Sequence, residues 1–418
     1  MNKIELLNIY KIFGKNPKRV YEMLQAGAPD DEVRERLGAV LAVLDVSFEV
    51  KEGEIFVVMG LSGSGKSTLV RSINRLYEPT AGTVMIDGMD VTSLNTKELR
   101  ELRARKVSMV FQHFALFPHR TVLENTGWGL EVKKEEKATI AKRAREALKL
   151  VGLDGWEDKV PEQLSGGMKQ RVGLARALAT DSDVLLMDEA FSALDPLIRS
   201  EMQEQLIDLQ DKMHKTIVFI THDLNEAMYL GDRIAIMKSG RIDQVGTAED
   251  ILRHPATEYV AAFIQDVDRS RVLTAASIME EPIAYILARE GPSAAIKAMR
   301  ERQVSALFVV GPERRLYGTA LDEEVIKAVR KGESTLDNIV HYDVPFVEPD
   351  TPISELLVTS AESHLPLPVV ENGRLIGVIP RVKLLMALGE TPSVNNIESN
   401  KEGATDSGTV EEKRGEED

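Results

Sequence analysis

A glycine-rich loop between an apolar segment and a helical segment carries the clearest chemical signal in the sequence. The loop reads GLSGSGKS over residues 60–67, and its glycines let backbone N–H groups turn inward around phosphate groups. Lys66 can reach the β- and γ-phosphates of a nucleoside triphosphate, and the Ser67 hydroxyl can ligate Mg²⁺. The residues predicted to hold the nucleotide here are Gly60, Ser62, Gly63, Ser64, Gly65, Lys66, Ser67 and Thr68.

Two carboxylates follow a second apolar segment, residues 184–187. Asp188 can reach Mg²⁺ through the water shell of the ion, and Glu189 can polarise the attacking water as a general base. Taken alone, the two residues could also be solvated acids at the end of a strand. Together with the phosphate-binding loop, they indicate hydrolysis of a nucleoside triphosphate.

The segments that position these residues alternate between apolar and amphipathic stretches. The apolar stretches predict buried strands of a parallel sheet at residues 55–59, 107–111, 184–187, 217–220 and 234–237. Amphipathic helices are predicted between them, for example over residues 136–150 and 198–212. We therefore predict an α/β fold of the P-loop type for residues 1–265.

A weak internal repeat fills the second part of the chain. Residues 273–332 and 333–389 each predict the order β-α-β-β-α, which indicates two tandem copies of one small module. The copies are expected to pack as a pair because neither buries enough core alone. Residues 266–272 are predicted to form a linker, and residues 390–418 predict a disordered acidic tail.

Composition argues against several classes of protein. The 418 residues carry a formal net charge of −15, which disfavours nucleic acid as the main partner. The chain has no cysteine, so no disulfide framework points to secretion. Neither a signal peptide nor an apolar run of about 18 residues is recognised, so we expect a soluble cytoplasmic protein.

The order of the motifs resembles that of the ATPases of ABC transporters. Between the phosphate-binding loop and the acidic pair lies LSGGMKQR at residues 164–171, and the sequence SALD follows at residues 192–195. The resemblance implies a homodimer that closes head-to-tail around two Mg·ATP, because this signature contacts the nucleotide of the opposite subunit at a helix N-terminus. The residues implied in that contact are Ser165, Gly166 and Gly167.

The same resemblance implies further roles outside the loop. Gln112 would contact Mg²⁺ and the attacking water, and His222 would hydrogen-bond the γ-phosphate. Asp195 would lie at the dimer interface, and Phe13 would stack on adenine, although a core Phe is an equally open interpretation. The sequence departs from the family at Met168, where glutamine is commonest, and this departure leaves the expected ATPase activity unchanged.

A helical insert at residues 15–38 and the paired modules narrow the resemblance. With the segments 109–125 and 187–199, they are similar to the ATP-binding subunits of osmoprotectant (glycine betaine/proline) importers. The resemblance implies an integral-membrane permease, met by the loop 114–119, and a substrate-binding protein or domain. The chain would then lie on the cytoplasmic face of the cell membrane and power uptake of a quaternary ammonium osmoprotectant.

Other functions remain open on the sequence alone. The transported compound could be a different small solute. The chain could instead be a soluble ABC ATPase acting on DNA or ribosomes, which the acidic charge disfavours. A nucleotide-sensing regulator built around the paired modules is the third alternative.

The paired modules resemble CBS domains, which bind adenine nucleotides between the two copies. The resemblance implies cyclic di-AMP or another adenine nucleotide as a regulatory ligand. Arg381 could pair with a phosphate, and the residues expected to give apolar or stacking surface are Ile283, Tyr285 and Ile379. A dimerisation module that binds nothing is the alternative.

The insert predicts two short helices. The first ends at Gly27, and Asp30 or Asp31 is expected to cap the second, which ends at Leu37 and Gly38. A solvated hairpin is one interpretation. The other is that basic residues such as Lys18 touch anionic lipid in a contact that raised salt weakens.

Overall fold

The computed structural model describes residues 1–389 apart from residues 113, 193, 266, 268 and 364. The predicted tail at 390–418 therefore lies outside the described residues. Strands and helices are numbered along the chain. In the described part, no helix is both long enough and apolar enough to cross a membrane.

A six-stranded sheet forms the centre of the first domain. All five predicted strands are confirmed, and they pair in parallel, with one antiparallel strand added at an edge. The strands at residues 55–59, 184–188 and 216–221 are buried along their whole length, because helices or a second sheet cover both faces. The strands in sheet order are β6 (Val107–Phe111), β7 (Val184–Asp188), β8 (Thr216–Thr221), β3 (Ile55–Met59), β9 (Arg233–Lys238) and β10 (Arg241–Gly246).

Helices cover this sheet, and two of them begin within the glycine-rich loop and the signature sequence. The predicted helices 136–150 and 198–212 are confirmed as α6 and α8, and α5, α6 and α7 pack on one another. The helices of this domain are α3 (Lys66–Ile73), α4 (Thr96–Arg105), α5 (Val122–Val132), α6 (Lys137–Leu150), α7 (Gly166–Ala179), α8 (Pro196–Met213), α9 (Leu224–Leu230), α10 (Ala248–Arg253) and α11 (Glu258–Phe263).

A second sheet, antiparallel, was not predicted. Its four strands in sheet order are β2 (Val40–Lys51), β1 (Asn2–Phe13), β4 (Ala81–Ile86) and β5 (Met89–Asp90). The alternation of buried and exposed residues along β2 is the pattern of a strand with one covered face. The buried face shares a core with Leu69, Val70 and Ile73 of α3, so the two sheets hold the helix that follows the glycine-rich loop.

The insert folds as predicted into two helices, α1 (Pro17–Gln25) and α2 (Asp30–Leu37). Val20 and Val33 are buried against β1 and β2, and Gly38 ends α2 in the left-handed conformation. The predicted cap is wrong: Asp30 begins the helix rather than preceding it, and Pro29 takes the N-cap position. The Asp30 carboxylate instead pairs with Arg241 at 3.2 Å.

The first C-terminal module has the predicted β-α-β-β-α order and its own apolar core. It follows two short helices, the first of which falls within the predicted linker. These elements are α12 (Arg269–Val272), α13 (Ala275–Ile278), β11 (Tyr285–Leu287), α14 (Pro292–Arg302), β12 (Ala306–Val310), β13 (Leu316–Leu321) and α15 (Asp322–Lys331).

The second module departs from that order at its start. Its expected first strand is reduced to one parallel bridge between Val347 and Val369. Pro345 and Pro349 flank Val347 and cannot donate backbone hydrogen bonds, so a longer strand cannot pair there. The remaining elements are α16 (Ile353–Glu362), β14 (Leu367–Glu371), β15 (Arg374–Ile379) and α17 (Arg381–Gly389).

Candidate nucleotide-binding site

The glycine-rich loop joins the end of β3 to the start of α3, as the sequence predicts. Gly60 has a φ of 148° and Gly65 a φ of 102°, both in the region that favours glycine. A Cβ at Gly60 would collide with the carbonyl oxygen of Met237, and one at Gly65 with the carbonyl oxygen of Ala42. The loop therefore needs glycine at both positions to lie against its neighbouring strands.

Lys66 is the first residue of α3, and its side chain is only 3% exposed. Its Nζ donates to the carbonyl oxygens of Gly60 at 2.8 Å and Leu61 at 3.1 Å. Burial lowers the pKa of Lys66, and the nearby carboxylates Glu189 and Asp188 act against that shift. The ammonium group is thus held at the mouth of the loop, where a phosphate would displace carbonyl partners.

Glu189 is the point at which four sequence motifs meet. Its Oε2 accepts from Gln112 Nε2 at 3.0 Å and lies 3.8 Å from His222 Nδ1, while Oε1 lies 3.9 Å from Lys66 Nζ. Residues 112, 189 and 222 follow the carboxyl ends of β6, β7 and β8, which are neighbours in the sheet. Parallel pairing therefore brings these distant residues to one edge.

Asp188 has a partner that the sequence analysis missed. Both Nε and Nη2 of Arg71 contact Asp188 Oδ2, at 3.0 and 2.9 Å, and Arg71 Nη1 donates to Tyr77 Oη at 3.2 Å. Arg71 follows Lys66 by five residues on α3, beside the apolar residues Leu69, Val70 and Ile73 that the helix buries. The guanidinium fixes one carboxylate oxygen of Asp188.

The donor set suits Mg²⁺ in its usual protein setting. A hydroxyl from Ser67, an amide from Gln112 and one carboxylate from Asp188 match an ion that keeps waters and shares its shell with substrate phosphates. Within the described residues, no group of three or more His, Cys, Asp or Glu could hold a metal alone. A bound ion here would depend on the nucleotide.

The signature residues lie at the N-terminus of α7. Ser165 caps α7, its Oγ accepting from Met168 N at 3.3 Å, and both Ser165 and Gly166 are exposed. Gly167 packs α7 against Ile198 of α8. Asp195 is exposed and caps α8 through Ile198 N at 3.1 Å. In the described part of the chain, no hydrogen bond or ion pair joins Ser165 or Asp195 to the glycine-rich loop.

Phe13 ends β1 and is partly exposed. Tyr77 meets its ring edge-to-face with 5.5 Å between centroids, and Lys11 Nζ lies 4.8 Å from the ring centroid. The ring is thus packed on its neighbours while part of its surface faces solvent, as a base-stacking platform requires.

Two residues that the sequence analysis missed shape the loop after Gln112. Asn125 is fully buried and bonds the backbone of Phe117, Arg120 and Thr121. Arg176 of α7 donates to the carbonyl oxygens of Phe114 at 3.1 Å and of Ala115 at 2.6 Å. No local sequence pattern marks these two residues, because their partners lie far along the chain or on backbone atoms.

The two phenylalanines of the loop 114–119 are only partly exposed. Phe117 is half-buried and packs against Trp128 at 4.9 Å, with Arg120 over both rings. A cavity of about 380 Å³ opens beside these rings. Among its lining residues are Arg100, Arg103, Met109, Trp128, Val132 and Arg176.

The residues predicted for the regulatory ligand fall into two environments. Tyr285 lies in the small core between the two modules, and Ile283 nearby is 68% exposed. Ile379 is 2% exposed and packs into the large core that reaches the ATPase domain, so it offers little surface to a ligand. Arg381 is exposed at the start of α17, and Pro380 lies between it and the end of β15 at Ile379.

Comparison with known proteins agrees with this site. The ABC transporter family matches residues 43–192, and the CBS domain family matches residues 275–331 and 336–390. The chain belongs to the ATP-binding subunits of ABC transporters that carry a CBS pair, and it is an ATPase coupled to transport that uses ATP and Mg²⁺.

Individual relatives cover nearly the whole chain. The glycine betaine/carnitine transport ATP-binding protein of Listeria monocytogenes is 51% identical over 94% of this chain and 100% of its own length. The glycine betaine/proline betaine transport ATP-binding protein of Escherichia coli is 46% identical, over 94% of this chain and 99% of its own. A dimeric ATP-binding cassette solved with ADP and Pi is 34% identical with a TM-score of 0.50, covering 59% of this chain and 98% of that one.

Proposed function

We propose that this chain is the ATP-hydrolysing subunit that powers uptake of a quaternary ammonium osmoprotectant, of the glycine betaine or proline betaine type, through a partner permease. The observation that carries the ATPase part is the meeting of Lys66, Gln112 and His222 around Glu189. The cargo follows from relatives named for betaine transport, since no residue here would touch the cargo.

In the proposed mechanism, two copies close head-to-tail and complete each other's sites. Lys66 binds the β- and γ-phosphates, and Ser165 and Gly167 of the opposite subunit contact the γ-phosphate. The exposed positions of Ser165, Gly166 and Asp195 support this, because all three are free to face a second copy. The comparison structure is itself a dimer.

Hydrolysis then follows from the groups around Glu189. The oxygen of a water attacks the γ-phosphorus, its proton passes to the Glu189 carboxylate, and the bond to the β–γ bridging oxygen breaks with ADP leaving. Gln112 orients the water, and His222 donates a hydrogen bond to the γ-phosphate. Mg²⁺, when held by Ser67, Gln112 and Asp188, would offset the charge that develops on the phosphate oxygens.

The permease is proposed to dock on the loop after Gln112 and in the cavity beside Trp128. Its aromatic and cationic lining suits a short permease helix that presents apolar and acidic side chains. A substrate-binding protein or domain would deliver the cargo on the far side of the membrane. This arrangement sets the chain on the cytoplasmic face.

The CBS pair, with proposed boundaries 273–332 and 333–389, is inferred to bind cyclic di-AMP or another adenine nucleotide beside Tyr285. The guanidinium carbons of Arg302 and Arg314 lie 5.8 and 5.2 Å from the Tyr285 ring centroid. Two cations around an aromatic ring suit a ligand with phosphates and a base.

Ligand binding is tested by calorimetry with cyclic di-AMP and with AMP. We expect Tyr285→Ala and Arg314→Ala to weaken cyclic di-AMP binding about tenfold or more. The control is Arg300→Ala, a change at an exposed arginine of α14, and this variant should bind the ligand as the parent does. Equal affinity in all variants would place the ligand elsewhere, and no binding would favour a module that only dimerises.

The transport function is tested by measuring ATP hydrolysis in the reconstituted complex with permease and binding domain. Hydrolysis is measured with and without glycine betaine, at low and high salt. Stimulation by betaine that rises with salt would support an osmoregulated importer. If betaine does not change the rate of hydrolysis, the assignment as an ATPase stands and the proposed betaine cargo is wrong.

A further inference from the structure

Arg199 joins two functional segments that lie far apart in the sequence. It stands in the first turn of α8, four residues after Asp195. Its Nη2 donates to the carbonyl oxygen of Leu194 at 3.2 Å, and its Nη1 pairs with Asp223 Oδ2 at 3.2 Å. One guanidinium group therefore contacts both Leu194, which precedes Asp195, and Asp223, which follows His222.

Asp223 connects Arg199 to the segment that contains His222. Its Oδ1 caps α9 by accepting from Asn225 N at 3.0 Å and Glu226 N at 3.3 Å. Its backbone N–H donates to Thr221 Oγ1 at 2.9 Å. Because both carboxylate oxygens are engaged, a shift of Arg199 moves the turn on which His222 sits.

A second contact makes α8 and α9 move together. Gln203, one turn after Arg199 on α8, donates to Glu226 Oε1 at 3.1 Å, and the Glu226 side chain is buried. The other end of the segment before α8 is tied to the backbone of Glu189, since Ser192 Oγ donates to the main-chain carbonyl oxygen of Glu189 at 3.0 Å. Displacement near Asp195 therefore reaches both His222 and Glu189.

We propose that Arg199 is a positioning residue that couples the partner-facing segment at Leu194 and Asp195 to His222, so that closure of the dimer sets the catalytic geometry. This inference rests on the proposed two-site dimer. Folding alone does not explain the arrangement, because partly exposed ion pairs contribute little to stability. The coupling needs Arg rather than Lys, since only a forked group reaches both partners at once.

The test compares Arg199→Ala with Arg233→Ala in the reconstituted complex. Arg233 is a matched control: its side chain is also 27% exposed, and it pairs with Glu54 at 3.2 Å away from the site. ATP affinity, kcat and the Hill coefficient for ATP are measured for each. For Arg199→Ala we expect kcat to fall about tenfold, with ATP affinity within about twofold. The Hill coefficient should fall from about two toward one.

Two further variants separate coupling from folding. Asp223→Asn keeps the cap on α9 but weakens the pair with Arg199, so it should reproduce the Arg199→Ala kinetics. The double variant should be no worse than the poorer single one, because both remove the same link. Arg199→Lys should recover kcat only in part.

The inference is overturned if Arg199→Ala and Asp223→Asn match Arg233→Ala in kcat and Hill coefficient, or if their losses add in the double variant. Failure of the proposed function looks different. In that case the parent complex itself shows no cooperative, betaine-stimulated hydrolysis.

Discussion

At the residue scale, Glu189 is the best-defined group of the site. It is 16% exposed, it accepts a hydrogen bond from Gln112, and it lies within 4 Å of Lys66 and His222. Its φ of 47° places the carboxylate just past the end of β7, apart from Asp188. This geometry places Asp188 against Arg71 and Glu189 against Gln112. It supports the proposed division of roles, in which Asp188 serves Mg²⁺ and Glu189 serves the attacking water.

We predict that Glu189→Gln still binds ATP within a few-fold of the parent affinity but hydrolyses it about 10²–10⁴-fold more slowly. Glutamine keeps the shape and the contact with Gln112 but cannot accept a proton. Steady-state hydrolysis and nucleotide binding measure the two effects. Glu249→Gln, in an exposed pair with Arg253, is the control. An unchanged rate would remove Glu189 from the role of base.

At the element scale, the loop after Gln112 depends on contacts from α5 and α7. Phe114 and Ala115 both have positive φ, and Arg176 holds their carbonyl oxygens. Asn125 ties the rest of the loop to the start of α5. Movement of the signature helix is therefore passed to the surface on which the permease is proposed to dock.

We expect Asn125→Ala to destabilise the protein by about 1–3 kcal/mol, because buried backbone groups lose their partners. Transport-coupled hydrolysis should fall while hydrolysis by the isolated subunit changes little. Asn95→Ala, which removes the cap of α4, gives a control that also loses stability but lies away from the loop. Equal coupling in the two variants would contradict a role for Asn125 in the loop.

Ion pairs also join the two sheets of the first domain. Lys3 Nζ lies 2.7 Å from Asp87 and 3.2 Å from Asp183, and Lys106 reaches both carboxylates at 3.0 Å. Burial opposes ionisation of Asp87 and Asp183, but the lysine hydrogen bonds and charges outweigh it. They hold the pKa of each carboxyl below its usual value.

Because these folded-state pKa values are lowered, the pairs stabilise the fold fully above the unfolded-state value of about 4 and lose that effect as pH falls through the folded-state values. We predict that Asp87→Asn lowers the free energy of unfolding by about 1–2 kcal/mol at pH 7. The difference should shrink in acid. The free energy of unfolding is measured with urea at pH 7 and in acid below about pH 4. The exposed Asp158→Asn serves as the control. A pH-independent difference would contradict it.

At the scale of the whole molecule, the second CBS module is joined to the ATPase domain through apolar packing. One continuous core runs from the six-stranded sheet through Ile264 and Leu273 to Ile353 and Ile379. The short helix α12 contacts α9 as well as α16 and α17. A ligand that moves the modules would therefore act on α9, which begins one residue after Asp223.

The insert presents a basic surface on the same molecule. Lys15, Lys18 and Arg19 are exposed, and within the described residues no carboxylate lies at ion-pair distance from them. Such charges act over only about 8 Å at physiological ionic strength, so their contacts weaken as salt rises. These exposed charges are open both to water, as in a solvated hairpin, and to anionic lipid.

We predict that the double change Lys18→Glu and Arg19→Glu shifts the salt dependence of transport in vesicles that contain anionic lipid. The control is Lys327→Glu with Lys331→Glu, which changes the net charge equally on exposed positions of α15. Transport is measured across a salt series. A curve that coincides with the parent and control curves would exclude the lipid contact.

Local patterns determined much of this protein. The glycine-rich loop at residues 60–67, the apolar strands and the internal repeat were all predicted from the sequence. Each is a pattern of neighbouring residues or a repeated segment, so it can be recognised without the tertiary structure. The acidic pair at Asp188 and Glu189 was read in the same way. The second sheet was missed although β2 alternates, since its partners β1 and β4 pair only in three dimensions.

Tertiary structure decided which residues act together. Arg71 on Asp188, Arg176 on the loop and Arg199 between Leu194 and Asp223 join positions 5 to 117 residues apart. Their partners are often backbone oxygens, which every residue supplies, so no residue type signals them. The motifs determined the chemistry, whereas the packing of the sheet edge and its helices decided how that chemistry is positioned and linked.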